Sequence, residues 1–395
     1  EVREMTRLNA VKLITTPKGE TVIDFGQNLT GYVEWTVPAK KGNEFKIYHS
    51  EILDKDGNFY TENLRSAKAQ VTVISDGIER TYKPHFSFQG FRYIKLEGFD
   101  KKDIDLEKFV AVVVFSNMKR IGYFACGNDL VQQLYENIVW GLRGNFLDVP
   151  TDCPQRDERL GWTGDAQVFA RTASTTYKTD KFFRKWLHDL AADQRENGAF
   201  TDVCPDLQRW ESHGSSAWAD AGVIVPYQVY AAYGDKTIIE EQFESMKKWI
   251  DFMENNGTEK GLFDAHEHHF GDWLSLDAGY EATGGLTDKN LIGSAYLAYS
   301  NSLFIKMGKA IGKDMSYYED LYEHSIKAYR KKFLNTGKTE HETQTSNVLA
   351  LHFNLTDNRE REAEKLVKDI EACGHLKTGF VGTPYLLHTL AEIGR

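Results

Sequence analysis

The sequence predicts a β-plus-α chain in which an N-terminal antiparallel β-sandwich is followed by an (incomplete) (α/α)6 toroid. Short β-type runs alternate with turn residues up to about residue 118, and beyond that point apolar residues recur at helical spacing. A turn that contains aspartate then separates one predicted helix from the next, as expected for stacked helical hairpins. We therefore place a β-sandwich domain at 1–118 and an α/α-toroid domain at 119–395.

The β part consists of short strands separated by Gly, Asn, Asp and Lys. Alternating apolar and polar residues within many of the runs are typical of strands with one buried face. The predicted strands are TVIDF (21–25), GYVEWTV (31–37), EFKIYHS (44–50), QVTVIS (70–75), FRYIKLEGF (91–99) and FVAVVVF (109–115). No periodic helix is required before residue 119, so the pattern favours a sandwich.

The helical part begins behind Asn128, a candidate helix cap. Four apolar residues spaced four apart predict the first helix: Leu130, Leu134, Ile138 and Leu142. Further helices are predicted at about 165–176, 180–196, 215–233, 236–255, 287–310, 315–333, 343–353, 358–373 and 380–393. Because one hairpin cannot bury its own apolar face, the hairpins must stack into a solenoid or close into a toroid. Ten helices are two fewer than six hairpins require.

Recurrent turns and three long connections organise the predicted toroid. Aspartate marks the turns YKTDKFF (177–183), YGDKTII (233–239), IGKDMSY (311–317) and NLTDNRE (354–360). The longer connections are 148–164, 197–214 and 257–286. Since they all follow alternate helices, we expect them on one rim, where a pocket over the toroid would lie.

Composition excludes several classes of protein. A net charge of −10 argues against nucleic acid and against an anionic membrane surface as partners. The four cysteines show no CxxC spacing, so neither a zinc ribbon nor a disulfide framework is predicted. No apolar run approaches the roughly 18 residues of a membrane span, and no signal-peptide pattern opens the chain. The compartment stays open among secreted, periplasmic and cytoplasmic.

Chemistry concentrates in DCPQRDERLGWTGD, residues 152–165. The stretch combines four carboxylates, two arginines and a tryptophan, and its proline and glycines interrupt any continuous helix. It therefore reads as a loop, which is either a site or a structural ion-pair network. Like-charged carboxylates held close together raise the pKa of at least one, which provides a proton donor near neutral pH. Tryptophan beside acids suggests a carbohydrate pocket.

Two further stretches place tryptophan beside aspartate. Trp218 and Asp220 lie in SAWADAG (216–222), and Asp272, Trp273 and Asp277 lie in FGDWLSLD (270–277). A helix start that needs an acid and a buried ring explains the first stretch equally well, and each stretch is weak alone. Three such loops on one predicted rim make a stronger pattern.

Two rival chemistries are less favoured. The run HEHH (266–269) lacks the i, i+4 histidine spacing of zinc proteases, so we predict no metal site and no cofactor. Cys153 as a nucleophile would need His213 as its base, and nothing in the sequence brings these two residues together.

The run DVPTDCPQRDERLGWTGDAQVFARTAS (148–174) resembles the signature of the α-L-rhamnosidases of glycoside hydrolase family 78. The runs DFGQNLTGYVEW (24–35), YTENLRSAKA (60–69) and FSFQGFRYIKLEGF (86–99) resemble the β-sandwich that precedes the catalytic domain in that family. SAWADAGVIVPYQVYAAYGD and FGDWLSLD match too, so the resemblance covers nearly the whole chain.

The resemblance implies an (α/α)6 enzyme that hydrolyses terminal α-L-rhamnose with inversion, on a rhamnose-containing oligosaccharide, polysaccharide or glycoside. It makes Glu158 the general acid. It places six residues around the sugar: Asp152, Trp162, Asp165, Trp218, Asp272 and Trp273. The assignment of Asp272 is the least secure of these.

The resemblance also carries an expectation about the chain's extent. The family's general base is a glutamate close to a tryptophan, and no tryptophan follows Trp273. We therefore expect that the last hairpin, a C-terminal β-domain and the base lie beyond Arg395, that this chain alone is not competent, and that Glu342 is the one substitute base within it. The alternatives are a non-catalytic rhamnoside-binding protein and another α/α-toroid glycosidase or lyase. Aglycone, linkage and oligomeric state stay open.

Overall fold

The computed structural model describes residues 1–207, 213–279, 282–335 and 342–395. They form two compact units. Unit 1 comprises Glu1–Gly161 with Thr175–Lys178, and unit 2 comprises Trp162–Ser174 with Thr179–Arg395. Unit 1 thus extends past the predicted domain boundary at residue 118, and that boundary stays a prediction.

Unit 1 is built on an antiparallel sheet. Its strands are β1 (Val2–Asn9), β2 (Lys12–Thr15), β3 (Thr21–Val37), β4 (Glu44–Ser50), β5 (Gln70–Ile74), β6 (Arg80–Tyr82), β7 (Gln89–Glu97) and β8 (Phe109–Ser116), and a two-stranded ribbon of β9 (Phe146–Leu147) and β10 (Val149–Pro150) follows later. The strand order is β1-β8-β3-β7-β4-β5, with β2 and β6 also paired to β3. The predicted antiparallel β domain is confirmed.

Strand β3 corrects one detail of the sequence prediction. The runs predicted as separate strands at 21–25 and 31–37 are the two ends of one 17-residue strand. Its register with β7 shifts between Asp24 and Leu29, so a bulge replaces the expected turn. Strands β1, β2 and β6 were missed, because their residues are mostly exposed and show no apolar alternation.

The core of unit 1 gathers around Trp35 of β3, which is almost fully buried. Its ring contacts those of Phe45, Phe99 and Phe109 at centroid distances of 6.3, 5.4 and 6.5 Å. Helix α1 (Asp129–Asn145) also belongs to this unit, and Thr30 Oγ1 of β3 donates to the Gly144 carbonyl at 2.9 Å. Large rings on one face of the sheet thus supply the packing that isolated strands lack.

Helix α1 begins as predicted. The side chain of Asn128 accepts hydrogen bonds from the backbone N–H groups of Leu130 and Val131 at 3.0 and 3.1 Å. Periodicity located the helix correctly but not its buried face. Leu142 is fully buried, whereas Leu130 is 83% exposed.

The regular elements in the described part of unit 2 are helices. The helices are α2 (Thr163–Thr176), α3 (Asp180–Ala192), α4 (Ala221–Tyr233), α5 (Thr237–Asn255), α6 (Lys289–Ala310), α7 (Ser316–Tyr329), α8 (Gln344–His352), α9 (Arg359–Cys373) and α10 (Thr383–Glu392). Each predicted helix is present, with bounds that differ from the prediction by a few residues at most ends. The start of α4 is six residues later than predicted, because 216–220 forms a turn.

The helices of unit 2 pack in two layers. Helices α4, α6, α8 and α10 contact one another in succession, while α5, α7 and α9 each pair with the preceding helix. Sequence explains this division: α4 and α6 are buried on most of their residues, whereas α5 and α7 bury one face. This inner and outer arrangement of hairpins is that of the predicted α/α toroid.

Aspartate marks the hairpin turns for a specific reason. The side chain of Asp235 accepts from Thr237 N at 2.9 Å, and Asp314 accepts from Ser316 N at 3.0 Å. Each bond satisfies a backbone N–H at the start of the following helix, which that helix cannot satisfy itself. Within the described residues, no helix is both long and apolar enough to cross a membrane.

Asp220 fixes the start of α4 from inside unit 2. Its carboxylate is fully buried and accepts from Ala217 N at 2.7 Å, Trp249 Nε1 at 3.0 Å and Ser300 Oγ at 2.6 Å. Burial raises the pKa of this carboxyl. Asp220 therefore has the structural role that a helix start can give an acid, and it joins α4 to α5 and α6.

We predict that Asp220→Ala lowers the free energy of unfolding by about 3 kcal/mol or more, because three buried donors lose their acceptor at once. Urea unfolding followed by circular dichroism measures the change. Asp235→Ala is the matched control, since it removes one acceptor from an exposed turn and should cost much less. Equal losses in the two variants would contradict the role of Asp220.

Candidate active site

The acidic loop, residues 152–160, closes on itself in unit 1. Asp152 N donates to the Leu160 carbonyl at 3.0 Å, and Asp152 Oδ1 accepts from Leu160 N at 2.9 Å. Arg159 anchors the loop to the sheet, because its guanidinium donates to the Phe88 carbonyl at 3.0 Å and to Gln89 Oε1 at 3.1 Å. The predicted loop is therefore held at both ends and against β7.

Within the acidic loop, one carboxylate oxygen of Glu158 receives several cationic contacts. Arg156 approaches Oε2 with Nε at 3.0 Å and Nη2 at 2.9 Å, and Arg65 Nη1 lies 3.1 Å from the same oxygen. Arg156 Nη2 also lies 3.5 Å from Asp152 Oδ2. The side chain of Glu158 is 19% exposed, so the carboxylate is oriented by the protein yet reachable from solvent.

Asp152 and Cys153 lie beside Glu158. Burial raises the pKa of Asp152. It also raises the pKa of the Cys153 thiol to about 11, so that the thiol is protonated at neutral pH. A protonated thiol is a poor nucleophile, which weakens the alternative of cysteine catalysis. One potential ligand atom from each of these three residues falls within 4.8 Å of the others, but Arg156 already supplies the positive charge there.

Unit 2 carries the second part of the predicted site, a ring cluster of Trp162, Trp218, Phe270, Trp273 and Phe380. Phe270 lies at its centre, with ring centroids 5.8 Å from Trp162, 4.7 Å from Trp218 and 6.0 Å from Trp273. Trp218 also contacts Phe380 at 5.4 Å. Trp218 is 4% exposed, whereas Trp162 and Trp273 are half-buried. The last two are thus the tryptophans able to present ring surface to a ligand.

Asp202 and Val203 position Trp162 and the start of α2. Trp162 forms a β-bridge with Val203, and the Asp202 carbonyl accepts from both N and Oγ1 of Thr163 at 2.9 Å. Asp165 follows in the first turn of α2 and is half-buried. An acid in the first turn also favours the helix, because it faces the positive end of the helix dipole.

Gly164 in α2 allows Trp218 to pack closely. A Cβ atom at this position would lie 2.8 Å from three atoms of the indole. The glycine that argued against a helix in the sequence thus lies inside α2, where its lack of a side chain admits the ring.

Asp272 holds the loop that carries Trp273. Its carboxylate is fully buried and accepts from Thr345 Oγ1 at 2.5 Å and from the backbone N of Gly379, Val381 and Gly382 at 2.8, 2.9 and 3.2 Å. Burial raises its pKa. Because both oxygens are engaged in the interior, the structure gives Asp272 a positioning role. Its predicted contact with substrate stays a prediction.

The three histidines of HEHH bond to different protein groups. His266 Nε2 lies 2.9 Å from the His213 carbonyl, His268 Nε2 lies 2.7 Å from Asp202 Oδ2, and His269 Nδ1 lies 3.2 Å from Ser216 N. The first two bonds join described residues of the connections 197–214 and 257–286, two of the three connections predicted to share a rim. The third connection, 148–164, falls in unit 1 up to Gly161.

Sequence reasoning missed several residues of this arrangement. They are Arg65, Arg156, Asp202, His268, Phe270 and Phe380. A signal existed for two of them, since Arg156 lies inside the acidic stretch and Arg65 inside YTENLRSAKA. The partners of His268 and Phe270 are distant in sequence, so no local pattern could reveal them.

Helical hairpins in two layers place the helical part of the chain among the α/α-toroid proteins. A model of the bacterial alpha-L-rhamnosidase 6 hairpin glycosidase domain matches residues 119–395, and one of the bacterial alpha-L-rhamnosidase concanavalin-like domain matches residues 14–115. The chain belongs to the bacterial α-L-rhamnosidase family.

Curated relatives and solved structures agree with this assignment. The chain is 40% identical over 384 residues to an α-L-rhamnosidase of Formosa agariphila, covering 94% of this chain and 41% of the relative. It is 39% identical over 398 residues to one of Streptomyces avermitilis, covering 100% and 38%. The chain thus spans about two fifths of the length of these relatives.

Two crystal structures of α-L-rhamnosidases match the whole chain. The enzyme from Streptomyces avermitilis complexed with L-rhamnose has a TM-score of 0.93 and 39% identity, with 38% of its chain covered. The enzyme from Aspergillus terreus has a TM-score of 0.93 and 36% identity, with 47% of its chain covered.

We predict that Gly164→Ala displaces the Trp218 indole and destabilises unit 2 by about 1–3 kcal/mol, the usual cost of overpacking. Near-ultraviolet circular dichroism and urea unfolding report the two effects. Gly141→Ala is the control, because a Cβ there meets nothing within 4 Å and alanine favours a helix. An unchanged tryptophan signal in the Gly164 variant would refute the close packing.

We predict a pH dependence from His269. Burial lowers its pKa to about 3, while an unfolded histidine titrates near 6.5. The unfolded chain therefore binds more protons between these values, and this contribution to stability falls as the pH is lowered from about 6.5 towards 3.

Urea unfolding of the wild type and His269→Asn at pH 7 and pH 5 tests this. The fall in the free energy of unfolding between pH 7 and pH 5 should be smaller in the variant. Buried carboxyls with raised pKa contribute in the opposite direction, but equally in both proteins, so they cancel when the two falls are compared. Identical falls in both proteins would exclude His269 as a source.

Proposed function

We propose that this chain carries the sugar-binding surface and the proton donor of a glycoside hydrolase that removes terminal α-L-rhamnose from rhamnosides by inversion. The observation that carries the proposal is the Glu158 carboxylate, which lies beside Asp152 in a closed loop and is reachable from solvent. Family membership supports the reaction class, and the position of this carboxylate supports its assignment as the acid.

Glu158 has the features that a general acid needs. It must be oriented towards the glycosidic oxygen and must be reachable by substrate. Three guanidinium nitrogens hold Oε2 in place, and the partial exposure of the side chain provides access. Positioning of this kind matters because a misplaced donor loses much of its catalytic effect.

The sugar is bound by rings and acids in this proposal. The half-buried faces of Trp162 and Trp273 cover apolar surface of the sugar, and the C6 methyl group of a 6-deoxy sugar provides more of it than a hydroxymethyl group. Trp218 contacts Phe270, the ring that also contacts these two tryptophans. Asp152 and Asp165 accept hydrogen bonds from sugar hydroxyl groups.

Inversion requires a second carboxylate that activates water, about 6.5–9.5 Å from the acid. Within this chain, Glu342 is the residue that we propose as a substitute for this base. It lies just before α8, is 42% exposed, and pairs with Lys365 Nζ at 2.7 Å. This ion pair would have to open for Glu342 to take a proton.

We predict that, in a protein that contains this chain together with a general base, Glu158→Gln lowers hydrolysis of an alkyl α-L-rhamnoside by about 10²–10⁴-fold, the range of general acid catalysis. The loss should be much smaller for the 2,4-dinitrophenyl rhamnoside, because its leaving group departs without a proton. Initial rates on both substrates measure this contrast.

Asp157→Asn is the matched control, because Asp157 lies next to Glu158 in the chain but bonds to Ser66. Equal losses on both substrates, or none, would remove Glu158 from the role of acid. Binding of L-rhamnose without turnover by that protein in its wild-type form would favour the rhamnoside-binding alternative.

A further inference from the structure

His268 and Asp202 form a pair that the proposed reaction does not yet use. His268 Nε2 lies 2.7 Å from Asp202 Oδ2, and the two side chains are 25% and 4% exposed. Asp202 Oδ1 also accepts from Ser215 N at 3.2 Å. The aspartate is therefore fixed in the interior, and it presents its second oxygen to a histidine that reaches the surface.

The pair determines which nitrogen of His268 carries a proton. Burial raises the pKa of Asp202, but the hydrogen bond with His268 favours its ionised form. An ionised carboxylate accepts hydrogen bonds and cannot donate them. Nε2 must therefore be the N–H that donates to Asp202, since a bond to one ring nitrogen sets the state of the other. Nδ1 then accepts when the ring is neutral and donates when it is charged. In either state it can bond to a hydroxyl group.

His268 stands beside the ring cluster. Its ring meets Phe270 edge-on, with centroids 5.0 Å apart, and Phe270 contacts both half-buried tryptophans. The backbone of the same Asp202 holds Thr163, the residue after Trp162. One aspartate thus positions both His268 and the start of α2.

The neighbouring histidines differ from His268. His269 is 5% exposed and accepts from Ser216 N through Nδ1. His266 packs between Phe252 and Phe263. Among the described residues of this loop, His268 alone combines a carboxylate on Nε2 with an Nδ1 for which the structure shows no hydrogen bond within the chain.

We propose that Nδ1 of His268 hydrogen-bonds a hydroxyl group of the sugar that lies against the ring cluster, which makes His268 a further specificity-determining residue. The inference rests on the proposed function and extends it. An apolar ring surface selects the deoxy face of the sugar but cannot fix its orientation. A polar atom beside it does so, because a misplaced hydroxyl leaves that atom without a partner.

Two substitutions separate sugar binding from loop positioning. In His268→Gln the amide nitrogen takes the place of Nε2 and keeps the bond to Asp202, but nothing replaces Nδ1. In His268→Asn the amide lies near the former Nδ1 and is too short to reach Asp202. Calorimetric titration with L-rhamnose and thermal unfolding are measured for the full chain and for both variants.

We expect His268→Gln to unfold at the wild-type temperature and to bind L-rhamnose about 3- to 10-fold more weakly, the effect of one hydrogen bond. His268→Asn should unfold at a lower temperature than the wild type. Its affinity for L-rhamnose should nevertheless be higher than that of His268→Gln, because its amide lies near the former Nδ1. Wild-type affinity in His268→Gln would overturn the proposal. An affinity loss confined to His268→Asn, with its lower unfolding temperature, would also overturn it and show a structural role.

The test separates this inference from the proposed function. If the wild-type chain binds L-rhamnose and His268→Gln binds equally well, the inference fails and the proposed function stands. If the wild-type chain does not bind L-rhamnose, both fail together.

Discussion

The hydrogen bonds of the Asp272 carboxylate hold together the part of unit 2 that carries Trp273. This buried group accepts four hydrogen bonds, three of them from backbone N–H groups just before and at the start of α10. Burying a carboxylate is costly unless it is fully hydrogen-bonded, so the fold must keep all four donors in place. The Gly379 backbone is part of this constraint, because a Cβ there would lie 2.5 Å from the Trp273 carbonyl. Trp273 is therefore presented by a loop with little freedom.

The carboxylates of the two units have different hydrogen-bond partners. In unit 2 the carboxylates of Asp220 and Asp272 accept from neutral donors, and their pKa values are raised by burial. In unit 1 the Glu158 carboxylate faces guanidinium groups and keeps partial exposure. The first arrangement serves rigidity. The second leaves a carboxylate that a ligand can reach, which is what the proposed reaction needs.

Much of the fold could be predicted from the sequence, because helical periodicity and turn residues are local signals. The helices of unit 2 and the aspartates at their turns follow from such signals. The exposure of Leu130 and Leu134 on α1 could not be predicted in this way. Their spacing indicates an apolar helix face but does not show what covers that face. The single long strand β3 was divided in the prediction because a bulge and a turn use the same residue types.

The sequence pointed to part of the candidate site but not to the contacts that its residues make. The acidic loop and the three tryptophans were found from composition and resemblance. That Trp218 is buried, that Asp272 is a structural acceptor and that His268 pairs with Asp202 depend on contacts between residues far apart in the chain. Burial in particular distinguishes a ring that can meet a ligand from one that supports it.

The central claim is that the ring cluster of unit 2 is a preformed surface for a 6-deoxy sugar. Calorimetric titration of the chain with L-rhamnose and with L-mannose, which differ only by the hydroxyl group at C6, tests it most directly. The account predicts that L-rhamnose binds tighter by about 10- to 100-fold, the range that apolar contacts achieve against an added hydroxyl. Equal affinity for the two sugars, or tighter binding of L-mannose, would contradict it.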